Sequence, residues 1–189
     1  MVFPERDVPP ALRRQVLALQ DQAWPGEETE TGGAEPGPVH DPALHPLSML
    51  LVRDGKVLAA LDILTKTIEH LGARYTVSGL STVVTEASER GKGYGHRLVV
   101  AARERIEASD ADLGIFTCDA PLRPFYERAG WTTLPGAVLM GGTPADPFPS
   151  DRFDKVTMAA FFTPRARRAA AGFTDARIAL YPGEIDRLW

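Results

Sequence analysis

The sequence predicts a mixed α/β fold of the α+β kind, in which helices flank a mostly antiparallel sheet containing one splayed parallel pair. Three observations carry this reading. Two apolar runs meet at Asp54-Gly55, a dipeptide whose access to positive φ closes tight hairpins. After Thr85 the apolar period changes from that of a strand to that of a helix. That helix leads into a short apolar strand at Leu113–Cys118, of the buried parallel type, so a right-handed crossover is required.

Taken in order, Leu12, Val16 and Leu19 recur at helical spacing and predict an amphipathic helix over 11–22. From Trp24 to Pro46 the chain is rich in Pro, Gly, Glu and Thr with no sustained period. This predicts a long mobile loop inside one domain, because too little precedes it to fold alone. Leu47–Arg53 and Lys56–Ile68 form the hairpin, and a turn at Leu71-Gly72-Ala73 leads into a third strand, Arg74–Thr85. Tyr94, Leu98, Ala101, Ala102 and Ile106 mark one face of a helix over 93–108. A short helix around 122–129 ends at Gly130, suited to a left-handed residue past the helix end. Two further strands, at 131–140 and 155–162, flank a Pro-rich loop. Thr163-Pro164 then opens a short helix that stops at Gly172. Residues 1–189 thus read as a single domain with a C-terminal extension over 163–189. A ligand crevice is expected where the 74–85 and 113–118 strands part.

Hydrophobic residues at 44% and charged residues at 24% are ordinary for a globular chain in water. No apolar run approaches the length of a bilayer span, and Met1–Asp7 lacks a basic region followed by an apolar stretch. These features predict a cytoplasmic protein with no membrane partner. A single cysteine, Cys118, excludes an internal disulfide framework, and four scattered histidines offer no metal-ligand spacing. The net charge of −4 argues against nucleic acid as a partner. The charge is uneven. Residues 1–50 carry eight acidic side chains against three arginines, whereas 90–105 holds Arg90, Lys92, Arg97, Arg103 and Arg105 with only Glu104 opposing. An anionic ligand at the second region and a cationic one nearer the first would fit; solvated faces on both elements are the alternative.

Two motifs carry chemistry. Arg90-Gly91-Lys92-Gly93-Tyr94-Gly95 stands between a strand and a helix. Glycines let a ligand approach the backbone closely, and the exposed N–H groups of a helix start, with Arg90 or Lys92, suit a diphosphate. Pro124-Phe125-Tyr126-Glu127-Arg128-Ala129-Gly130-Trp131 forms a short helical platform after the 113–118 strand. Taken alone, the first reads as a tight turn and Tyr126 as a packed aromatic; it is the pair that changes the reading.

Together, R-x-x-G-x-G at 90–95 and the segment at 124–131 resemble the GNAT superfamily of N-acetyltransferases, and the order of elements from 47 to 162 fits that fold. The resemblance implies that Arg90, Gly91, Lys92, Gly93, Tyr94 and Gly95 bind the pyrophosphate of acetyl-CoA. It further implies that Val83, Val84 and Thr85 pair with its pantetheine arm and that Tyr126 protonates the departing thiolate. Asp119 occupies the place of an asparagine that contacts the cofactor in many members. From Leu71 to Phe162 the chain also resembles the aminoglycoside 2′-N-acetyltransferases, which likewise end in tryptophan, here Trp189. That resemblance assigns Glu184, Asp186 and the Trp189 carboxylate to holding a cationic substrate. Ser81 aligns where that group carries a glutamate suited to act as base. Family habit suggests a homodimer, with 163–189 as a contact.

Attack on a thioester needs a neutral amine, so a base or a route through water must remove a proton. Ser81 is a candidate to hold that water, and Glu86, Asp62, His40 and His45 are candidate bases. A backbone N–H on the 83–85 strand would hold the oxyanion. Cys118 reads as a buried structural thiol rather than a covalent nucleophile. The expected activity is acetyl transfer from acetyl-CoA to a primary amine of a small cationic molecule, by direct attack in a ternary complex. Acetylation of a protein N-terminus or lysine, and non-catalytic acyl-CoA sensing, are the alternatives.

Overall fold

Two-residue turns set the sheet. Asp54 and Gly55 take φ of 52° and 75°, and Leu71 and Gly72 take 51° and 73°, so each turn has two left-handed residues that match the twist of the strands they join. In a computed structural model that describes residues 1–25 and 37–181, the elements run β1 (Val2–Pro4), α1 (Pro10–Ala23), β2 (Leu47–Arg53), β3 (Lys56–His70) and β4 (Ala73–Thr85). They continue with α2 (Tyr94–Glu107), β5 (Leu113–Asp119), α3 (Arg123–Arg128), β6 (Thr132–Thr133), β7 (Val138–Gly142) and β8 (Pro147–Pro149). β9 (Lys155–Phe161), α4 (Pro164–Ala169) and β10 (Arg177–Ala179) complete the described order. The seven-stranded sheet is ordered β1-β2-β3-β4-β5-β9-β6, and β10-β7-β8 form a smaller one.

Alternation along the strands divides the core. Leu61 and Ile63 of β3, with Leu80 and Phe116, pack under Leu98, Val99, Ala102 and Ile106 of α2. The opposite face carries Leu50, Ala60 and Val84 against Leu19 of α1, and Leu64, Val77 and Ile115 against Phe173. Asp62 belongs by alternation to this second face and sits in a row with Ser48 of β2 and Ser81 of β4, its direct cross-strand partners.

β4 and β5 are the parallel pair, but they pair only at Val77–Leu113 and Ser78–Gly114. β5 also pairs antiparallel with β9 from Leu113 to Asp119, and β4 runs on to Thr85 with no strand paired to that side among the described residues. The split leaves a cleft at the expected place. The register between β3 and β4 also shifts between Ala60 and Asp62, giving β4 one extra residue, and Thr82 there has φ of 49°. A β-branched residue in the left-handed region is strained, at a cost of about 1–3 kcal/mol, and Thr82 is held by donating from Oγ1 to Asp62 Oδ2 at 2.7 Å.

Three differences from the sequence reading stand out. The single strand expected over 131–140 is two pieces, because Pro135-Gly136 breaks it; Gly136 has φ of 64° and β6 and β7 join different sheets. The three-residue strands β1, β8 and β10 were not anticipated. The segment read as a loop, 24–46, lies partly outside the described residues; its end is anchored, with Leu44 and His40 2% and 6% exposed.

Candidate functional site

The two motifs meet at one cavity. It has a volume of about 570 Å³ and is lined by Val83, Val84 and Thr85 of β4, by Arg90, Gly91, Gly93, Tyr94 and Gly95, and by Phe125, Tyr126 and Arg128 from the far side. Gly91 and Gly93 have φ of 80° and 83°, and a Cβ on either would meet nothing within 4 Å among the described residues. The left-handed backbone, not crowding, requires glycine there, and it leaves open space beside the start of α2. No side chain caps α2, so its first N–H groups lack an intrahelical acceptor. Gly95 serves a different need: a Cβ would stand 2.7 Å from Thr85 Oγ1, so its absence lets α2 seat against the end of β4.

Around this turn Arg90 Nε donates to the Thr85 carbonyl at 3.3 Å, and Arg53 donates to the Tyr94 hydroxyl at 2.8 Å. Lys92 Nζ lies 3.1 Å from Glu89 and does not line the cavity. Asp119 is also outside the lining; its carboxylate accepts from Lys155 Nζ at 2.6 Å.

Tyr126 is 5% exposed, with its ring edge-on to Phe116 and Phe125 at centroid distances of 5.0 Å. Burial, reinforced by Cys118 and Asp119, drives its pKa well above the ordinary value of 10.0, so the phenol keeps its proton. Burial likewise pushes the Cys118 thiol up to about 11, which leaves little thiolate for a covalent route.

Ser81 does not line this cavity. Its Oγ lies 3.2 Å from His40 Nε2, and behind that imidazole Glu5 Oε1 stands 3.3 Å and Asp62 Oδ2 4.0 Å from Nδ1. Glu5 accepts from the Val39 N–H at 2.6 Å and the His40 N–H at 3.3 Å. Burial alone would raise the Glu5 pKa, but His40 and the Val39 N–H outweigh it and the net shift is downward. For Asp62 burial wins and the pKa rises, against the pull of His40, Ser48 and Thr82. Of the four candidate bases, His40 thus reaches Ser81, and Asp62 stands at the far nitrogen of the same imidazole. Glu86 turns to Lys56 at 3.4 Å. His45 lines a separate cavity shared with Glu5 and His40. Glu5 was missed; a glutamate in Phe3-Pro4-Glu5-Arg6 carries no local signal, and only the approach of residues 39–40 brings it to His40.

Glu184, Asp186 and Trp189 lie outside the described residues. Among the described residues no group of three or more His, Cys, Asp or Glu side chains stands ready to hold a metal, and no helix is long and apolar enough to cross a membrane.

The sequence model of the acetyltransferase (GNAT) domain matches residues 6–134, well over half of the chain. The chain belongs to that family. GNAT membership makes it an acyltransferase. No curated protein matches it. Several solved structures do, each under 25% identical and informative for the GNAT fold alone. An acyl-CoA N-acyltransferase from Pseudomonas aeruginosa is 20% identical, with 84% of this chain and 96% of that chain covered at a TM-score of 0.55. Escherichia coli ElaA is 15% identical over the same shares, with a TM-score of 0.56. An aminoglycoside 6′-N-acetyltransferase complexed with coenzyme A is 15% identical, with 87% and 98% covered and a TM-score of 0.59.

Proposed function

We propose that the protein transfers an acetyl group from acetyl-CoA to a primary amine of a small cationic molecule, by direct attack in a ternary complex. The observation that supports this is the one cavity joining the left-handed glycine turn, the free edge of β4 and Tyr126. Its residues fit acetyl-CoA. The Gly91–Gly93 backbone, the open N-terminus of α2 and Arg90 suit a pyrophosphate by charge and by room. The free edge at Val83, Val84 and Thr85 suits an extended arm with amide groups, as an added strand would pair. Acetyl-CoA supplies the activated acyl carbon and a thiolate leaving group.

The chain's own contribution is then positioning and proton supply. Tyr126, protonated at neutral pH because it is buried, donates to sulfur. A backbone N–H beside the bulge at Thr82 is a donor for the oxygen that gains charge. Glu5 and Asp62, buried around His40 beside β4, contribute negative charge that favours a cationic acceptor over a neutral one.

The test offers acetyl-CoA with diamines, aminosugars and amino acids, and with peptides as a contrasting arm, and reads free thiol release. Thiol release with the small cationic amines is expected. Release with peptides alone would transfer the reading to protein acetylation, and release with none would overturn it.

A further inference from the structure

An alkyl ammonium cannot attack a thioester until a proton leaves and frees its lone pair. We propose, on the acetyltransferase reading above, that Ser81, His40 and Glu5 form a proton-accepting relay for the incoming amine, which discharges into a proline-walled cavity behind His40.

Three observations carry it. Ser81 lies on β4 two residues before Val83, which lines the same cavity as Tyr126, so Ser81 adjoins that lining without being part of it, across the bulge at Thr82. Ser81 Oγ and His40 Nε2 are 3.2 Å apart, a hydrogen bond from a hydroxyl to an imidazole when the ring's own proton is on Nδ1. Nδ1 faces Glu5 Oε1 at 3.3 Å, and Glu5 is fixed by the N–H groups of Val39 and His40. The charges around the ring come from separate elements: Glu5 from the turn after β1 and Asp62 from β3, with Arg13 of α1 donating to the Glu5 carbonyl. The two carboxyls differ usefully. Glu5 is held below its ordinary pKa and stays anionic, while burial raises that of Asp62, so Glu5 is the counter-ion for a positive imidazole.

Behind the ring, His40 and Glu5 line a second cavity of about 270 Å³ walled by Pro4, Pro38, Pro42 and Pro46. A proton taken up at His40 therefore leaves on the side away from the acyl donor, without crossing the reacting atoms.

The protons balance. One ammonium proton passes to Ser81 Oγ as the Ser81 hydroxyl proton passes to His40 Nε2. The freed lone pair forms the N–C bond while the C–S pair leaves on sulfur, which takes the Tyr126 proton. The new amide nitrogen sheds its surplus proton to restore Tyr126, and His40 releases one proton per turnover to solvent.

The test combines kinetics with nuclear magnetic resonance of the imidazole. His40→Gln keeps hydrogen-bonding groups toward Ser81 and Glu5 but cannot take a proton. Its kcat/KM should fall on the order of a hundredfold at neutral pH. The deficit should shrink as rising pH deprotonates the amine in solution, with acetyl-CoA affinity unchanged. Ser81→Ala, a smaller change, should show the same pH-dependent deficit. In the wild type, His40 should carry its neutral proton on Nδ1 and titrate on acidification. A ring that is doubly protonated from about pH 6 to about pH 9 has no lone pair to offer and overturns the relay. So do variants that match wild-type kinetics at every pH. Failure of the wild type to release thiol with any amine would instead sink the transferase reading, and the relay with it.

Discussion

The cleft proposed for the acyl donor is walled largely by two short stretches of chain, Arg90–Gly95 and Pro124–Trp131, each a local motif. The polar row around His40, outside that lining, draws Glu5, His40, Ser48, Asp62 and Ser81 from five separate segments. The first region works through backbone conformation, which neighbouring residues determine. The second works through buried polar side chains that satisfy one another across the sheet, and none has a meaning until the strands are in register. The motifs are complete in short stretches of chain; the row exists only once the sheet is assembled.

Four changes would break or sharpen that contrast. Tyr126→Phe removes only a hydroxyl from the donor side. It should lower kcat tenfold to about a thousandfold, with acetyl-CoA affinity little changed and a melting curve like the wild type. Wild-type kcat in a folded variant, with product release shown to be fast, would leave Tyr126 a packing residue.

Asp62→Ala tests whether the polar row holds the fold. It strands the Ser48 and Thr82 hydroxyls and frees the strained Thr82 backbone. We expect a loss of about 3 kcal/mol, lowering Tm by roughly 6–12 °C. An unchanged melting temperature would reduce the row to a passive feature.

Gly93→Val forces a β-branched residue to φ of 83° while its Cβ clashes with nothing. The backbone must distort at about 1–2 kcal/mol, and acetyl-CoA affinity should fall by roughly tenfold, measured by calorimetry on folded protein. Equal affinity would remove the turn from the donor site.

The smallest effect is electrostatic. Because the Glu5 pKa is lowered on folding, its carboxylate contributes stability that is present above the unfolded value of 4.5 and lost as pH falls through the folded value. Glu5→Gln should therefore melt lower at neutral pH, by about 1 kcal/mol, and converge with the wild type in acid. A difference independent of pH would mean that the anion is not what stabilises the fold.

Most of the sheet was legible. Asp54-Gly55 and Leu71-Gly72 announce the hairpins because φ above zero is a local demand. The helical period of Tyr94, Leu98, Ala102 and Ile106 announces α2 because one face must be buried. β1 and β10, three residues each, have no period to read and exist because β2 and β7 offer them an edge. Pro135-Gly136 did carry a turn signal, and it is what divides the stretch read as one strand.

By itself the sequence determined the order of elements from Leu47 to Cys118, the left-handed glycine turn and the placement of Tyr126 just before a glycine stop, since each depends on residues close in the chain. Tertiary structure alone decided which candidate base meets Ser81. Glu86 and His40 look equally able in a list of residues. They part because Glu86 lies beside Lys56 at the sheet's end, while residues 37–46 fold back to press His40 between Glu5 and Ser81. Burial and register bring those groups together, and both are properties of contacts between segments that no local pattern encodes.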